Sequence, residues 1–415
     1  MYSANPAPTL ENPTVPRRLF VVPVVIFVMV TSEFMISPLL PAIAEALGRP
    51  LGQGALLITA LAVGQVIGGI TLGVLLSRIR PAVALAGLAL AFSAVQATPI
   101  FTSSWPAVLG TRLVAGLVMA SMFTVALTAA GTVVPPALMA RASGVVFSGV
   151  TFGLTIGSPL AGWLGGLAGW RWAFAAVSIA GIVSALAVLT IFRAPVPPRP
   201  VAHDADARRP LRDPRLWATY LTGMLLVGAA AASYGFFGAL LQQQTGWAPT
   251  AISLVLLGYG VASIVGNLAV ARHSGARPDR TIAAVASAAV VCYVIAAVGI
   301  DQPWVLVATV VALGALGFTL NPAVMALVVL HSGNRAVTNA LSATAVTLGI
   351  VVGSAAAGVL VDQGYGVRAP LLLSAAVTAV AVVVVRAARP ASRDVPTQPA
   401  DSAAAEVVTA CEVRG

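Results

Sequence analysis

Two charged residues stand inside segments that are otherwise apolar enough to lie in a lipid bilayer. Glu33 interrupts the run VVIFVMVTSEFMISPLL that begins at Val24, and Arg112 interrupts a second apolar run over residues 106–131. A charge at the centre of a membrane helix costs about 2.5–3.5 kcal/mol, so such residues are tolerated where they face protein or water. A carboxyl group in a low-dielectric site tends to bind a proton, and a neighbouring arginine favours its charged form. The two residues therefore have the chemistry of a protonation switch.

The same residues also have a purely structural interpretation. Glu33 and Arg112 can form a static ion pair, and hydroxyl groups such as those of Ser32 and Ser37 can satisfy the carboxyl group. By the helix assignment given below, every other acidic residue falls in a tail, in a loop or at a helix end. Glu33 is thus the one acid for which a position inside the membrane has to be explained.

The composition indicates an integral membrane protein. Of the 415 residues, 59% are hydrophobic and 9% are charged, whereas soluble domains contain roughly 25% charged residues. A bilayer crossing takes about 20 apolar residues, and such runs recur along almost the whole chain. We predict an all-α membrane protein with twelve transmembrane helices, at residues 19–42, 52–76, 81–101, 106–131, 142–163, 172–192, 216–241, 250–271, 281–300, 304–330, 337–361 and 369–389.

The placement of arginine predicts the orientation of these helices. The chain contains no lysine, and 19 of its 23 basic residues fall in tails and loops on the side of the N-terminus. The positive-inside rule therefore places both termini in the cytoplasm. The arginines are spread over separate short loops, which argues against nucleic-acid binding despite the net charge of +10. The two cysteines, Cys292 and Cys411, offer neither a disulfide framework nor a metal site, and no cofactor is expected.

The sequence repeats itself on either side of a segment rich in proline and arginine. GLTIGSPLAG, from Gly153, aligns with GIVVGSAAAG, from Gly349, at an offset of 196 residues. RIRP, which ends at Pro81, aligns with GARP, which ends at Pro278, at an offset of 197 residues. Parallel repeats of this kind are typical of secondary transporters. We predict an N-terminal tail at 1–18, six-helix bundles at 19–192 and 216–389, a cytoplasmic linker at 193–215 and a disordered cytoplasmic tail at 390–415.

Three stretches carry a resemblance to a known family. They are TSEFMISPLLPAIAEAL from Thr31, GLTIGSPLAGWLGGLAGWRWAF from Gly153, and TNALSATAVTLGIVVGSAAAG from Thr338. Over residues 19–389 the chain resembles the drug:proton antiporter branch of the major facilitator superfamily, and within it the bacterial arabinose-type and chloramphenicol-type exporters. The resemblance implies two bundles around a central cavity that opens alternately to each side, with export driven by proton entry. The protonation of Glu33, with Arg112 as its partner, is then predicted to follow the side to which the cavity opens.

Three patterns of this family are matched in part. The loop 2–3 pattern G-x-x-x-D-R-x-G-R-[KR] is met at Gly73 and Arg78, but Ser77 replaces its aspartate. The helix 4 pattern R-x-x-Q-G is met at Arg112 and Gly116. The helix 5 pattern G-x-x-x-G-P-x-x-G-G is met at Gly153, Gly157 and Gly162, with Pro159 displaced by one position.

These motif residues are candidates for a gating or structural role. Glycines four residues apart let a neighbouring backbone approach closely, and a proline inside a helix permits a bend. For Gly157 we expect close approach of helix 5 to a helix of the other half. Ordinary membrane packing is the alternative for the glycines and the proline, and a role as topology determinant is the alternative for Arg78. The set comprises Gly73, Arg78, Gly153, Gly157, Pro159, Gly162, Gly349 and Gly353.

The helices expected to line the cavity carry mostly neutral polar and aromatic side chains at mid-depth. Asn321 stands out because Pro322 after it interrupts helix 10. A largely apolar, uncharged pocket with a few polar groups suits a small neutral or amphiphilic substrate. Hydrogen bonding between helices is the alternative role for each residue. The candidates for substrate binding are Gln65, Thr124, Tyr234, Phe236, Asn267 and Asn321.

The predicted function is a proton-coupled antiporter that exports a chloramphenicol-like antibiotic. We expect a monomer in the bacterial cell membrane whose partners are a small molecule, protons and the lipid bilayer. Export of sugars or nucleosides is the second possibility, since these would use the same neutral pocket. An intramembrane enzyme needs a metal set or a nucleophile with its base, and a sensor usually carries a folded soluble domain. The sequence shows neither feature.

Overall fold

In the computed structural model, all regular elements of the described residues are helices. The structure describes residues 15–76, 79–135, 138–192, 209–274, 277–332 and 336–388. Within these ranges eleven helices are long and apolar enough to cross a bilayer, and a bent helix pair at the start of the chain makes a twelfth crossing. The predicted all-α architecture of twelve transmembrane helices is therefore confirmed.

The twelve helices are numbered here in chain order. They are α1 (Val22–Phe34 and Ile36–Ala46), α2 (Leu56–Leu76), α3 (Pro81–Phe101), α4 (Trp105–Val133), α5 (Met139–Phe152 and Ser158–Ala168), α6 (Trp170–Ile191), α7 (Pro214–Thr245), α8 (Pro249–His273), α9 (Pro278–Val298), α10 (Pro303–Leu316 and Asn321–Ser332), α11 (Ala336–Leu360) and α12 (Ala369–Ala387). A short turn, Leu51–Gly54, precedes α2.

The predicted helix ends differ from the observed ones by several residues. Helices 1, 5 and 7 continue to Ala46, Ala168 and Thr245, beyond the expected ends at residues 42, 163 and 241. The predicted starts lie within four residues of the observed ones. Helix α3 begins at Pro81 as predicted, whereas α9 begins at Pro278, three residues before the predicted 281, and both helices have proline in the first turn. Proline favours this position, where its missing N–H is not needed and its φ is already helical.

Two prolines explain why α1 is bent. The two parts of α1 meet at an angle of 48° on either side of Met35. Pro38 lacks the N–H that would bind the carbonyl group of Phe34, and Pro41 lacks the N–H that would bind that of Ser37. The Phe34 carbonyl instead accepts a hydrogen bond from the hydroxyl group of Ser158, at 2.9 Å. The bend therefore leaves backbone carbonyl groups of α1 free to accept hydrogen bonds at the centre of the bundle.

The two halves of the chain use the same helix pairs. In the first half α1 packs on α5, α2 on α4 and α3 on α6, and in the second half α7 packs on α11, α8 on α10 and α9 on α12. Gly153 lies against the backbone of Phe27, and Gly349 lies against the backbone of Met224 in the equivalent contact. The sequence repeat is thus a repeat of packing as well.

The expectation that Gly157 faces the other half is wrong. A side chain at Gly157 would collide with Thr31 of α1, which belongs to the same half. Gly353 lies in the same way against Gly228 of α7. The glycine spacing indicates that another helix comes close, but it carries no information on which helix that is.

Other residues of α5 reach the second half. The Thr155 hydroxyl group donates a hydrogen bond to the carbonyl oxygen of Gly260 in α8, at 3.0 Å. A Cβ atom at Gly162 would lie 2.8 Å from the hydroxyl oxygen of Ser253 in α8 and 2.7 Å from Pro38 in α1. Pro159 is buried at the start of the second part of α5, after a widened turn at Gly153–Gly157.

The main contacts between the halves lie at one end of the molecule. The second part of α1 packs on α7, the second part of α5 on α8, and the beginning of α2 on the end of α11. Residue pairs that meet there are Gly52 with Gly358, Thr59 with Ser354 and Gly166 with Pro249. The space between the halves is therefore closed at the end that contains Ala46, Pro249 and Leu360.

Some of the predicted features lie outside the described residues. These are Arg78, residues 193–208 of the linker, most of the tail at 1–18 and the tail at 390–415. Gly73 lies within α2. The domain boundaries and the orientation in the membrane stay predictions.

Candidate functional site

A cleft lies between the two halves at the level of the bend in α1. It is lined by Glu33, Phe34, Ser37, Ile58, Ala231, Tyr234, Gly235, Phe318 and Ile350. Helices α1 and α2 supply one wall, and α7, α10 and α11 supply the other. Glu33 is the acidic group in this wall, which otherwise consists of apolar, aromatic and hydroxyl side chains.

Aromatic rings form one side of the cleft. The Phe34 ring meets the rings of Tyr234 and Phe318 edge to face, with centroid distances of 5.2 and 5.5 Å. The Tyr234 ring also lies 5.2 Å from that of Tyr259. Edge-to-face pairs at these separations are each worth about 0.5–1.5 kcal/mol beyond the area that they bury. The rings therefore hold one another in place and leave an apolar surface beside Glu33.

The Glu33 carboxyl group is partly buried and is held by an amide. The side-chain nitrogen of Gln65 in α2 donates a hydrogen bond to Glu33 Oε1, at 3.3 Å. The structure thus brings Gln65 and Glu33, which were both predicted from the sequence, into contact. A neutral donor can remain beside the carboxyl group in either protonation state, since it adds no charge.

Arg112 is fully buried, but it does not bind the Glu33 carboxylate. Its Nη1 atom donates to the hydroxyl oxygen of Ser32 at 3.0 Å, and its Nη2 atom donates to the Ser32 carbonyl oxygen at 3.1 Å. Its Nε atom donates to the carbonyl oxygen of Leu57 at 3.4 Å. Among the described residues, the ion pairs within 4.0 Å do not include Glu33 with Arg112. The structural alternative of a static Glu33–Arg112 pair is therefore wrong for this state.

The two serines that were considered as partners of Glu33 have other roles. Ser32 binds Arg112, as described above. The Ser37 hydroxyl group donates a hydrogen bond to the carbonyl oxygen of Tyr234 in the other half. The Ser158 hydroxyl oxygen lies 3.0 Å from the phenol oxygen of Tyr234. Tyr234 is thus fixed from α1 and from α5, and its ring borders the cleft.

The remaining predicted binding residues are not among those that line this cleft. Phe236 is buried in the core that the first half forms with α7. Thr124 is exposed and its hydroxyl group binds the carbonyl oxygen of Ala120 in its own helix, at 3.1 Å. Asn267 is half-buried in α8. Asn321 is exposed at the start of the second part of α10, after the break that Pro322 predicts.

Sequence reasoning missed several residues of the site. Phe34 and Phe318 line the cleft, but an aromatic residue in a membrane helix looks the same whether it faces lipid or protein. Pro38, four residues after Phe34, was a usable signal, because a proline frees the carbonyl group four residues earlier.

The described residues contain no group of three side chains that could hold a metal ion.

The chain is similar to known membrane transporters in sequence and in fold. The family model described as Major Facilitator Superfamily matches residues 24–337 and 234–411. The chloramphenicol resistance protein of Streptomyces lividans is 30% identical over 377 residues, which cover 89% of this chain and 95% of that protein. A purine ribonucleoside efflux pump of Escherichia coli O127:H6 is 25% identical over 241 residues, which cover 58% of this chain and 60% of the pump.

The fold is also similar to that of a solved transporter. A bacterial homologue of the human lysosomal transporter Spinster, in an inward-facing and unoccupied conformation, superposes with a TM-score of 0.76 at 16% identity. The match covers 91% of this chain and 98% of the solved one.

Proposed function

Because the chain belongs to the major facilitator superfamily and is a multi-pass membrane transporter, we propose that it is a proton-coupled antiporter that exports a small neutral or amphiphilic antibiotic. The observation that carries the proposal is the cleft between the halves, where Glu33 stands among aromatic rings. The relative in Streptomyces lividans, a chloramphenicol resistance protein, supports an antibiotic as substrate.

Glu33 is proposed as the proton-coupling group, with Arg112 nearby in the same half. The carboxyl group lies in the cleft, so a substrate that enters and displaces water changes its surroundings directly. A change in desolvation shifts the balance between the neutral and the charged carboxyl group. Proton binding and substrate binding would then influence each other through one cavity, as antiport requires.

The cleft supports an uncharged aromatic or amphiphilic substrate. Phe34, Phe318 and Tyr234 offer ring surfaces, and Gln65 and Ser37 offer polar atoms at the edge of the apolar wall. Binding sites for small molecules typically combine an apolar lining with a few placed polar groups. Arg112 is engaged by Ser32 and Leu57, so no cation is presented for a phosphorylated compound.

A purine nucleoside is the second candidate substrate. The similarity to a purine ribonucleoside efflux pump favours it over sugars. The same aromatic rings can stack on a base, and the same polar groups can bind a ribose. The two candidates therefore share a pocket and differ in what the cell exports.

We further propose that the chain lies in a bacterial cell membrane, works as a monomer and has both termini in the cytoplasm. The arginine distribution supports this orientation. The end at which the halves touch would then face outward, and the cleft would open to the cytoplasm. Alternating access would consist of rocking the two bundles, at 19–192 and 216–389, about the cleft.

Growth of a bacterium that lacks its own efflux pumps tests the proposal. The chain is expressed and tolerance is measured for phenicols and other antibiotics, while release of sugars and nucleosides is followed in parallel. Raised tolerance to a neutral drug, lost in Glu33→Gln, is the expected result. Asp301→Asn is the matched control, because Asp301 is an exposed acid that is paired with Arg368 at 2.6 Å and does not line the cleft. Nucleoside release with unchanged drug tolerance would favour the second candidate, and no transport of either class would refute both.

A further inference from the structure

The buried amide group of Gln96 lies close to Arg112, and the function proposed above does not involve it. Gln96 of α3 is fully buried, and its side-chain nitrogen donates a hydrogen bond to the hydroxyl oxygen of Ser32. The same oxygen accepts a hydrogen bond from Arg112 Nη1, at 3.0 Å. Ser32 therefore joins Gln96 to Arg112, and it is the residue that precedes Glu33 in the chain.

Packing does not explain the presence of an amide at this position. Among the described residues, Gln96 Oε1 is one of the buried side-chain oxygens without a hydrogen-bond partner. A buried acceptor without a donor lowers stability, whereas leucine or methionine would fill the same space without this cost. Such a group is expected where a polar contact serves another purpose. Here the contact fixes the hydroxyl group to which Arg112 binds.

The second half of the molecule provides an internal comparison. Helices α3 and α9 begin at Pro81 and Pro278, so Tyr293 is the equivalent of Gln96 at an offset of 197 residues. Gly68 packs on the Leu117 carbonyl group and Gly266 packs on the Ala315 carbonyl group, which gives α4 and α10 an offset of 198. The equivalents of Ser32, Glu33, Gln96 and Arg112 are accordingly Ala229, Ala230, Tyr293 and Val310.

All four members of this polar set are thus replaced together in the half that has no intramembrane acid. Ser32, Gln96 and Arg112 therefore occur together with Glu33, and they are not a packing feature that both repeats share. We propose that Gln96 is a positioning residue that, through Ser32, holds the Arg112 guanidinium group away from Glu33. The inference rests on the proposed role of Glu33 in proton coupling.

The surroundings of Glu33 make Arg112 the decisive charge. Helix α2 presents Gln65 to the carboxyl group, and α7 presents the phenol Tyr234 across the cleft. Arg112 of α4 is bound to Ser32, the residue that precedes Glu33 in the chain, so its charge lies near the carboxyl group. A guanidinium group released from Ser32 can move toward the neighbouring carboxyl group. An opposite charge at about 4–6 Å favours the ionised carboxyl group.

Infrared titration of the purified full-length protein tests this inference. The carbonyl-stretch band of protonated carboxyl groups is followed against pH, and the part due to Glu33 is identified by its loss in Glu33→Gln. In Gln96→Leu the pH at which half of Glu33 is protonated should fall by about 1 unit. Ser32→Ala, which removes the same acceptor of Arg112, should shift the midpoint in the same direction.

Tyr293→Phe is the matched control. Tyr293 is the equivalent of Gln96 in the other half, and its phenol group accepts a hydrogen bond from Ser233 at 3.2 Å. The substitution therefore removes a buried polar atom at the equivalent position. Its midpoint should equal that of the wild type. An unchanged or raised midpoint in both Gln96→Leu and Ser32→Ala would overturn the inference. The titration needs no transport substrate. If Glu33 proves not to drive export, the proposed function fails, but the midpoint shift still reports whether Gln96 holds Arg112 away from Glu33.

Discussion

Ser37 donates a hydrogen bond to the carbonyl oxygen of Tyr234, and these two residues occupy the same position in the two repeats, 197 residues apart. In an arrangement with twofold pseudosymmetry, equivalent residues touch only close to the symmetry axis. The axis therefore passes beside the cleft that contains Glu33. A site on the axis keeps its place while the two halves rotate about it, which suits a substrate that must be reached from either side.

The ring of Tyr234 should contribute more to substrate binding than its hydroxyl group. Tyr234→Phe removes only the contact with Ser158 and is expected to change the dissociation constant by less than about threefold. Tyr234→Ala removes the ring that borders the cleft and should weaken binding by up to about tenfold, since an aromatic contact with the substrate is worth about 0.5–1.5 kcal/mol. Calorimetric titration with the compound found in the growth panel measures both. Tyr365→Ala, at an exposed ring outside the cleft, is the control, and equal effects of the two Tyr234 variants would contradict the ring contacts.

Transport should require the halves to separate at the end where they touch. The hydroxyl oxygens of Thr59 in α2 and Ser354 in α11 lie 2.8 Å apart across this contact. In a chain freed of Cys292 and Cys411, a disulfide between Thr59→Cys and Ser354→Cys is expected to stop transport, and reduction should restore it.

A disulfide within one half provides the control for this lock. A Cβ atom at Gly181 would lie 3.4 Å from that of Ser93, close to the separation of the Cβ atoms in a disulfide. Cross-linked Gly181→Cys with Ser93→Cys should therefore transport normally. Full transport by the cross-linked Thr59–Ser354 pair would show that this contact does not open.

Gly157→Leu should destabilise the first half. The new side chain meets Thr31 of α1, and overpacking of this kind typically costs about 1–3 kcal/mol. Thermal unfolding in detergent should show a lower melting temperature and a loss of transport. Gly87→Leu is the control, since a Cβ atom at Gly87 meets nothing within 4 Å. Equal melting temperatures for the two variants, with normal transport, would show that the close approach of α1 to α5 is unimportant.

Much of the fold follows from the sequence, because bilayer thickness and the twelve apolar runs leave few alternatives. The glycine repeat at Gly153 and Gly349 also predicts correctly that the halves share a plan. The partner of Gly157 could not be predicted, since small residues indicate close packing without identifying the neighbour. Helices 1, 5 and 7 continue beyond their predicted ends because a helix can extend past its apolar run into polar or small residues, such as Gln242–Thr245 at the end of α7.

The sequence identifies Glu33 as a residue of the candidate site, but it does not predict the geometry around this residue. Glu33 stands out by the cost of a charge in lipid. That Arg112 binds Ser32 rather than Glu33 depends on the bend of α1 and on a few ångströms of helix placement. The aromatic lining of Phe34 and Phe318 comes from helices far apart in sequence, and only the packing of the halves brings them together.

The central claim is that Glu33 couples proton entry to export, and inverted membrane vesicles test it most directly. An imposed pH gradient is used to drive uptake of the labelled compound identified by growth, and exchange of labelled for unlabelled compound is measured without a gradient. Glu33→Gln is expected to lose gradient-driven accumulation and to retain exchange, because the cleft remains while its titratable group is gone. Accumulation by Glu33→Gln at the rate of the wild type and the Asp301→Asn control would contradict the claim.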